Sequence, residues 1–337
     1  MPDNRRVILH VGAGKCGSSS LQRSLSLKPV LPHASGQTFE YVVIQEGGIL
    51  QRGAALTHHA NTSVYGYASS FAPSSGTALK SIETGLANVA DLPAEITPIL
   101  SCEGWINRPE AFHDSRMLDH LGLTAEVVIY VRPQLDWLNS GWWQWGAWSE
   151  HPRSYWMERS LGRVKWDLAV QAWRRVPGVS KVHVRLVTSD ITVDFGSIFG
   201  ITLAPVGRVN SSSDGMLLRM LQRIRSLRRH EHDSMFEFAF AKWAPGPREK
   251  PAWVIPPEDC VRYLEAVKHS NLTLLDHLDP ASAQAMKDDP RWWDAAHYAT
   301  HKVEPAELDH LPLKTYEQIL ERAFKALINH IKNKPPE

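Results

Sequence analysis

The 337-residue chain is short of several things at once. It has three cysteines, Cys16, Cys102 and Cys260, and they are far apart. That leaves no disulfide framework and no CxxC metal spacing, and a reducing cytoplasm is the expected compartment. No apolar run reaches the roughly 20 residues a membrane helix needs, so no transmembrane segment is expected. The polar residues 1–6 lead straight into an apolar strand and do not read as a signal peptide. Charge of either sign is not in excess: 37 Lys+Arg against 36 Asp+Glu leave +1. A duplex-binding protein carries a basic surplus, so nucleic acid is not an expected partner. There is no internal repeat, which excludes solenoids and propellers. What the chain does have is tryptophan, 13 against 9 Phe and 8 Tyr, an inversion of the usual order among aromatics.

Strand and helix signals alternate over the first two hundred residues. Residues 5–12 (RRVILHVG), 39–44 (FEYVVI), 96–102 (ITPILSC), 126–131 (EVVIYV) and 181–187 are short apolar runs that read as buried strands. Residues 17–27, 77–91, 109–121, 134–148 and 161–175 read as helices between them, and 51–75 as a long irregular loop. This order predicts an α/β fold, a doubly wound parallel sheet with flanking helices, whose ligand edge lies at the strand C-termini. Beyond residue 205 the signals turn helical, over 216–229, 257–275 and 315–332, with Thr315 and Gln318 as a candidate capping box. Residues 245–257 read as a surface loop. One domain over 1–337 is expected: an α/β core at 1–205 and a mostly helical part at 206–337 packed on it.

The strongest local signal is Gly12-Ala13-Gly14-Lys15-Cys16-Gly17-Ser18-Ser19-Ser20, between the first strand and the first helix. Glycines permit a tight or left-handed turn. The turn's N–H groups and the helix N-terminus then converge on one spot that suits an anion, and Lys15 and the serine hydroxyls add a charge and donors. The turn is not a nucleoside-triphosphatase P-loop. Leu9 stands where that motif needs its first glycine, and Cys16 stands where it needs the magnesium-binding hydroxyl. The plain alternative is a glycine-rich turn with an exposed lysine. A second element is Arg132-Pro133-Gln134-Leu135-Asp136-Trp137-Leu138-Asn139-Ser140, directly after a buried strand. An arginine and a hydroxyl there suit a second phosphate; the alternative is a strand-end salt bridge.

Together the two elements resemble the PAPS-dependent sulfotransferase family, in its bacterial form, with a P-loop-like fold. The family's 5′-phosphosulfate turn, K-[ST]-G-[ST]-[TS], is matched by Lys15-Cys16-Gly17-Ser18-Ser19, with Cys16 as the departure. Its 3′-phosphate element, Arg with Ser eight residues on, is matched by Arg132 and Ser140. Asp136 and Gln144 fall where bacterial members often carry D and Q. Looser matches are the strand at 182–187, Asp194-Phe195 and Val209-Asn210-Ser211-Ser212. The resemblance covers roughly residues 5–225.

It implies a sulfotransferase that moves a sulfuryl group from PAPS to an acceptor hydroxyl and releases PAP, with no metal. Gly14, Lys15, Cys16, Gly17, Ser18, Ser19, Arg132 and Ser140 would bind PAPS, and Lys15 would stabilise the developing charge. The general base is a His or Glu in the family. Glu103, directly after the strand that ends at Cys102, has that position and chemistry. His58 and His59, in the long segment after the second strand, are the alternative, and His113 is a weaker one. The acceptor expected from bacterial-type motifs is a saccharide, a glycolipid or a small metabolite. Two other readings stay open: a P-loop-type small-molecule kinase, and a non-catalytic nucleotide-binding protein.

Three remaining features fit more than one role. Arg219, Arg223, Arg225, Arg228 and Arg229 crowd one predicted helix, and a solvated face is preferred to an anion site. His297 and His301 share a helix face but have no third ligand. Eight of the tryptophans, from Trp137 to Trp173, fall within 37 residues. Trp142, Trp143 and Trp145 cannot all face one side of one helix, and with Trp105 they are the expected wall of an acceptor site, since Trp presents a flat apolar face and one donor.

Overall fold

A computed structural model describes residues 4–187, 190–206 and 213–333. Among the described residues eight strands form: β1 Arg5–His10, β2 Val30–Pro32, β3 Thr38–Tyr41, β4 Val43–Ile44, β5 Leu50–Gln51, β6 Ile96–Ser101, β7 Leu123–Val131 and β8 Val179–Leu186. Six of them make one sheet in the order β2-β3-β6-β1-β7-β8. Every pairing in it is parallel except β2 with β3. The central strands are apolar without alternation because helices cover both faces of a parallel sheet. Val7, Ile8 and Leu9 of β1, Ile99 and Leu100 of β6, and Val127 to Val131 of β7 are all fully buried.

The topology fixes where a ligand can sit. From β1 the chain crosses towards β3, and from β7 it crosses the other way, to β8. Right-handed crossovers put the intervening helices on opposite faces. A crevice therefore opens between the C-terminal ends of β1 and β7. The helix Ser18–Leu27, directly after β1, packs against Ala54–Thr62 and Ile191–Phe199. The helix Trp166–Arg174 packs on β7 and β8 and against Pro257–Leu275.

Several elements differ from the sequence expectation. The run at 39–44 is two strands, because the chain leaves the main sheet after Tyr41 and pairs β4 with β5 in a small antiparallel hairpin. Gly47 (φ 73°) and Gly48 (φ 80°) supply its left-handed turn. The irregular loop at 51–75 contains a helix, Ala54–Thr62. The Trp-rich helix spans Gln134–Gln144 and stops at Trp145, with a 3₁₀ turn over Gly146–Trp148. Gly146 lies under the rings of Trp142 and Trp156 with no room for a Cβ. The helix expected at 216–229 spans Gly215–Arg223. The last helix, Leu313–Asn333, begins two residues ahead of Thr315, so the capping box is inside it and does not start it. Residues 245–256 lack helix, yet Val254 and Ile255 are buried. Asn139 Oδ1 accepts from Val254 N at 3.0 Å and Trp143 Nε1 donates to Ala252 O at 2.7 Å.

At the end of β1, His10 is fully buried. Its Nδ1 lies 2.7 Å from Ser101 Oγ, and Gln22 Nε2 donates to the same hydroxyl at 3.0 Å. Burial pulls the imidazole down to about 3 and keeps it neutral. The unfolded chain takes up a proton near the ordinary value of 6.5 that the folded chain refuses. Stability from this site is therefore complete above about pH 6.5 and declines as pH falls towards 3, by up to about 1.4 kcal/mol per pH unit. Urea unfolding at stepped pH should show a shallower acid decline in His10→Asn than in wild type; equal slopes would overturn this account.

Candidate active site

The turn after β1 is held in an unusual backbone state. Lys15 (φ 66°) and Gly17 (φ 88°) both lie in the left-handed region, on either side of Cys16. For a lysine that conformation is strained and persists only where its surroundings enforce it. Ala13 O accepts from Cys16 N and from Ser18 Oγ, each at 3.2 Å, which closes the turn. The Cys16 side chain points inward and is fully buried, and burial pushes its thiol up to about 12. It packs the turn from beneath.

The segment after β7 enforces that state. Arg132 Nη1 donates to Lys15 O at 3.0 Å, and Trp137 Nε1 donates to Gly14 O at 2.8 Å. Two successive carbonyls of the turn are thus gripped from the segment after β7, one by Arg132 at the strand end and one by Trp137 in the helix. Arg132 is placed in turn by Trp166 Nε1, which donates to its carbonyl at 2.9 Å, and it lies 3.9 Å from Asp136. Asp136, Ser140 and Gln144 are four residues apart and share a face of the helix Gln134–Gln144. Gln144 Oε1 accepts from Lys15 Nζ at 2.6 Å. Ser140, between the two, is half-buried, and among the described contacts its hydroxyl has none.

Charge at this point is crowded and partly dry. Burial pulls the Lys15 ammonium down to about 8; Arg132 and Arg228 push it the same way, and Glu103 opposes them. Glu103 opens a 3₁₀ turn, Glu103–Asn107, directly after β6. Burial raises its carboxyl above the ordinary range, against the pull of Lys15. Glu103 borders the turn: a Cβ on Gly14 would lie 3.6 Å from its carboxyl carbon and 2.9 Å from the ring of Trp145. Trp145 leans on Trp137, with ring centroids 5.7 Å apart.

The structure therefore brings Gly14, Lys15, Arg132, Gln144, Glu103 and Trp145 together. Of the four tryptophans expected to wall an acceptor site, it does not bring the other three there. Trp105, Trp142 and Trp143 are buried, at no more than 3% exposure. Trp105 donates to Phe71 O and Trp143 to Ala252 O, so they pack the core and do not wall an acceptor site. Trp145, half-buried, is the one of those four beside the turn, next to Trp137. His58 and His59 lie on the helix Ala54–Thr62, and no described contact joins them to Lys15 or Arg132. His113 is exposed beside Asp114. His297 and His301 have ring centroids 6.1 Å apart, and His301 lies against Trp253; no group of three or more metal-ligand side chains occurs among the described residues. The match at 209–212 lies outside the described residues.

Two residues enter that sequence patterns did not single out for the site. Tyr67 has its hydroxyl beside that of Ser19 and feels the Glu103 charge; burial pushes its phenol up to about 12, so it stays protonated. Its segment is pinned throughout. Tyr41 donates to Ala68 O at 2.7 Å, Ala68 N donates to Ser26 Oγ at 3.1 Å, and Ser70 N donates to Ser101 O at 3.0 Å. The other is Arg228. It is buried, stacked 4.2 Å over Trp148 and paired with Glu237, and it donates to the Gln144 carbonyl. The solvated-face reading fails for Arg228 and for Arg219, which lies buried 4.6 Å over Trp143. It holds for exposed Arg223, Arg225 and Arg229.

No protein-family model matches the chain, and no curated protein matches it. Among solved structures the chain is similar to a sulfotransferase from Alicyclobacillus acidocaldarius, at 15% identity and a TM-score of 0.40, over 83% of this chain and 99% of that one. A likeness of that strength leaves the site to be read from its own residues. Gly14→Ala gives a direct test of the turn's packing: its Cβ would meet the Trp145 ring at 2.9 Å, so thermal unfolding should show a loss of about 1–3 kcal/mol. Unchanged stability would show that the turn and the Trp145 ring are not packed this closely.

Proposed function

We propose that this protein is a sulfotransferase that moves a sulfuryl group from PAPS to an acceptor hydroxyl. The observation that carries the reading is the Arg132–Lys15 hydrogen bond. It joins the two elements that would bind the two phosphate ends of PAPS, with a half-buried carboxylate at their side. The residues fit a ligand with an anionic group at each end. The half-buried Lys15 ammonium, pulled down by burial and by Arg132 and Arg228, gains from a negative charge, and the serines at the helix start add donors. Gly14, Lys15, Gly17, Ser18 and Ser19 would hold the phosphosulfate, and Arg132 with Ser140 the 3′-phosphate.

Bound PAPS supplies a sulfuryl group already linked to a good leaving phosphate. The chain's own residues supply the rest. Glu103 takes the proton of the acceptor hydroxyl, for which its raised carboxyl is a better base than an ordinary one. The oxygen so freed forms the new S–O bond as the old bond to phosphate breaks. Lys15, held by Gln144, stabilises charge on the departing oxygen. Trp145 and Tyr67 border this space and shield it from water. Acceptors that a single indole face suits, such as sugar rings of saccharides or glycolipids and small ring metabolites, are the proposed class. A magnesium-dependent kinase is disfavoured by Cys16, whose buried thiol cannot reach a metal at the phosphates.

Three outcomes are expected. Lys15→Ala abolishes transfer of labelled sulfate from PAPS, and wild-type turnover in that variant would end the assignment. Glu103→Gln lowers kcat at least about a hundredfold while keeping PAP affinity; if turnover survives, the base is elsewhere. In the free enzyme, protonated Lys15 is the binding form, so PAP affinity is full below about pH 8 and falls above it, by up to about tenfold per pH unit. Thermal-shift titrations from pH 6 to 10 check this, and a flat profile would mean the lysine does not meet the anion.

A further inference from the structure

The guanidinium of Arg228 is shut off from solvent, at 1% exposure, and its partner Glu237 is buried as well. Burial pulls the Arg228 titration down to about 9. A buried ion pair of this kind is a poor source of stability, because an apolar pair of similar volume packs as well or better. Stability therefore does not explain why two charges stand here. What the pair touches does.

Arg228 Nη2 donates to the carbonyl of Gln144 and, at 3.2 Å, to that of Glu231. Gln144 is the last residue of the helix Gln134–Gln144, and carbonyls in the last turn of a helix have no partner within it. A guanidinium there satisfies one of them and opposes the negative end of the helix. Trp148, whose ring lies 4.2 Å from the guanidinium, belongs to the 3₁₀ turn that follows. Glu237 holds Arg228 from the helix Met235–Trp243, which Lys242 ties to Asn61 O at 3.1 Å and to Ser63 O at 2.8 Å. The backbone fixed in this way carries the amide whose Oε1 accepts from Lys15 Nζ at 2.6 Å. The Arg228 charge also reaches Lys15, acting with Arg132 and against Glu103.

We propose that Arg228, held by Glu237, is a positioning residue for the anion turn: it caps the helix that ends at Gln144 and thereby sets where Lys15 presents its ammonium. Arg228 is too deeply buried to meet a ligand itself. A lysine ammonium rides on a flexible four-carbon stem. An amide in a fixed place selects one arrangement of that stem before the anion arrives, which lowers the ordering cost of binding. The proposal rests on Lys15 as the cation that binds the anion, and its test separates the two.

Calorimetric binding of PAP and, separately, of inorganic pyrophosphate to the full chain tests this. The comparison is between wild type, Gln144→Ala, Arg228→Met combined with Glu237→Leu, and a variant with all these substitutions. The Arg228→Met, Glu237→Leu variant leaves no buried charge unpartnered, so its unfolding midpoint should match wild type. It should bind both ligands about tenfold more weakly, as should Gln144→Ala. The combined variant should lose no more than about twofold beyond either, because Arg228 acts through Gln144. Full affinity without the Arg228–Glu237 pair overturns the proposal, as do losses that multiply in the combined variant. Arg228→Lys, which keeps the charge and loses the planar fork, takes the place of the paired substitution should that variant fold poorly, with the same comparison against Gln144→Ala. A wild type that binds pyrophosphate but not PAP ends the PAPS reading, while the pyrophosphate losses still decide the role of Arg228. A wild type that binds neither overturns both.

Discussion

The rest of the site depends on a grip by one segment, Arg132 and the helix that follows it, on the backbone of one turn. Arg132 and Trp137 donate to the carbonyls of Lys15 and Gly14. Without those bonds a lysine would have no reason to remain at φ 66°, since the conformation is uphill for any residue with a Cβ. The same helix then receives the ammonium through Gln144. One segment of about a dozen residues therefore sets the backbone of the anion turn and the direction of its charge.

Electrostatics at the crevice follow from dryness more than from pairing. Burial is the leading cause of the displaced titrations of both Lys15 and Glu103. The two groups partly relieve one another, but neither neutralises the other. An incoming anion would raise both titrations: it favours the charged lysine and, as a like charge beside a carboxylate, makes Glu103 hold its proton more tightly and so a stronger base once ionised. Such preorganisation costs little at the moment of reaction because the dipoles and charges are already in place.

Much of this was legible in the sequence, for a physical reason. A glycine–lysine turn between a buried strand and a serine-led helix has few conformations, and a strand ending in arginine must deliver it to the same sheet edge. Lys15, Arg132 and Glu103 were found that way. Tryptophan was harder. Trp142, Trp143 and Trp145 sit within one helical turn, and the expectation that one must escape the core holds only for Trp145. Trp143 is buried because the irregular segment at Ala252 covers the side that a two-layer picture leaves open, and Trp142 because Trp156 packs on it. Tyr67 was invisible because its segment has no periodicity; its position is imposed by hydrogen bonds from Tyr41, Ser26 and Ser101, far apart in the chain. Arg228 was misread for a related reason. Burying a guanidinium requires Glu237 and an indole face to be assembled around it, and neither is implied by a row of arginines.

Arg228 also bears on how the molecule is built. Its contact with the Gln144 carbonyl ties residues 84 positions apart, and Gln144 is the residue that aims Lys15. The α/β sheet can pair its strands before the later helices dock, because its pairings all close by Leu186, ahead of those helices in the chain. The lysine cannot take its final direction until they have. A nascent or partly unfolded chain would thus carry a formed sheet and an unaimed cation, and competence to hold an anion would arrive last, as a signature of completed assembly.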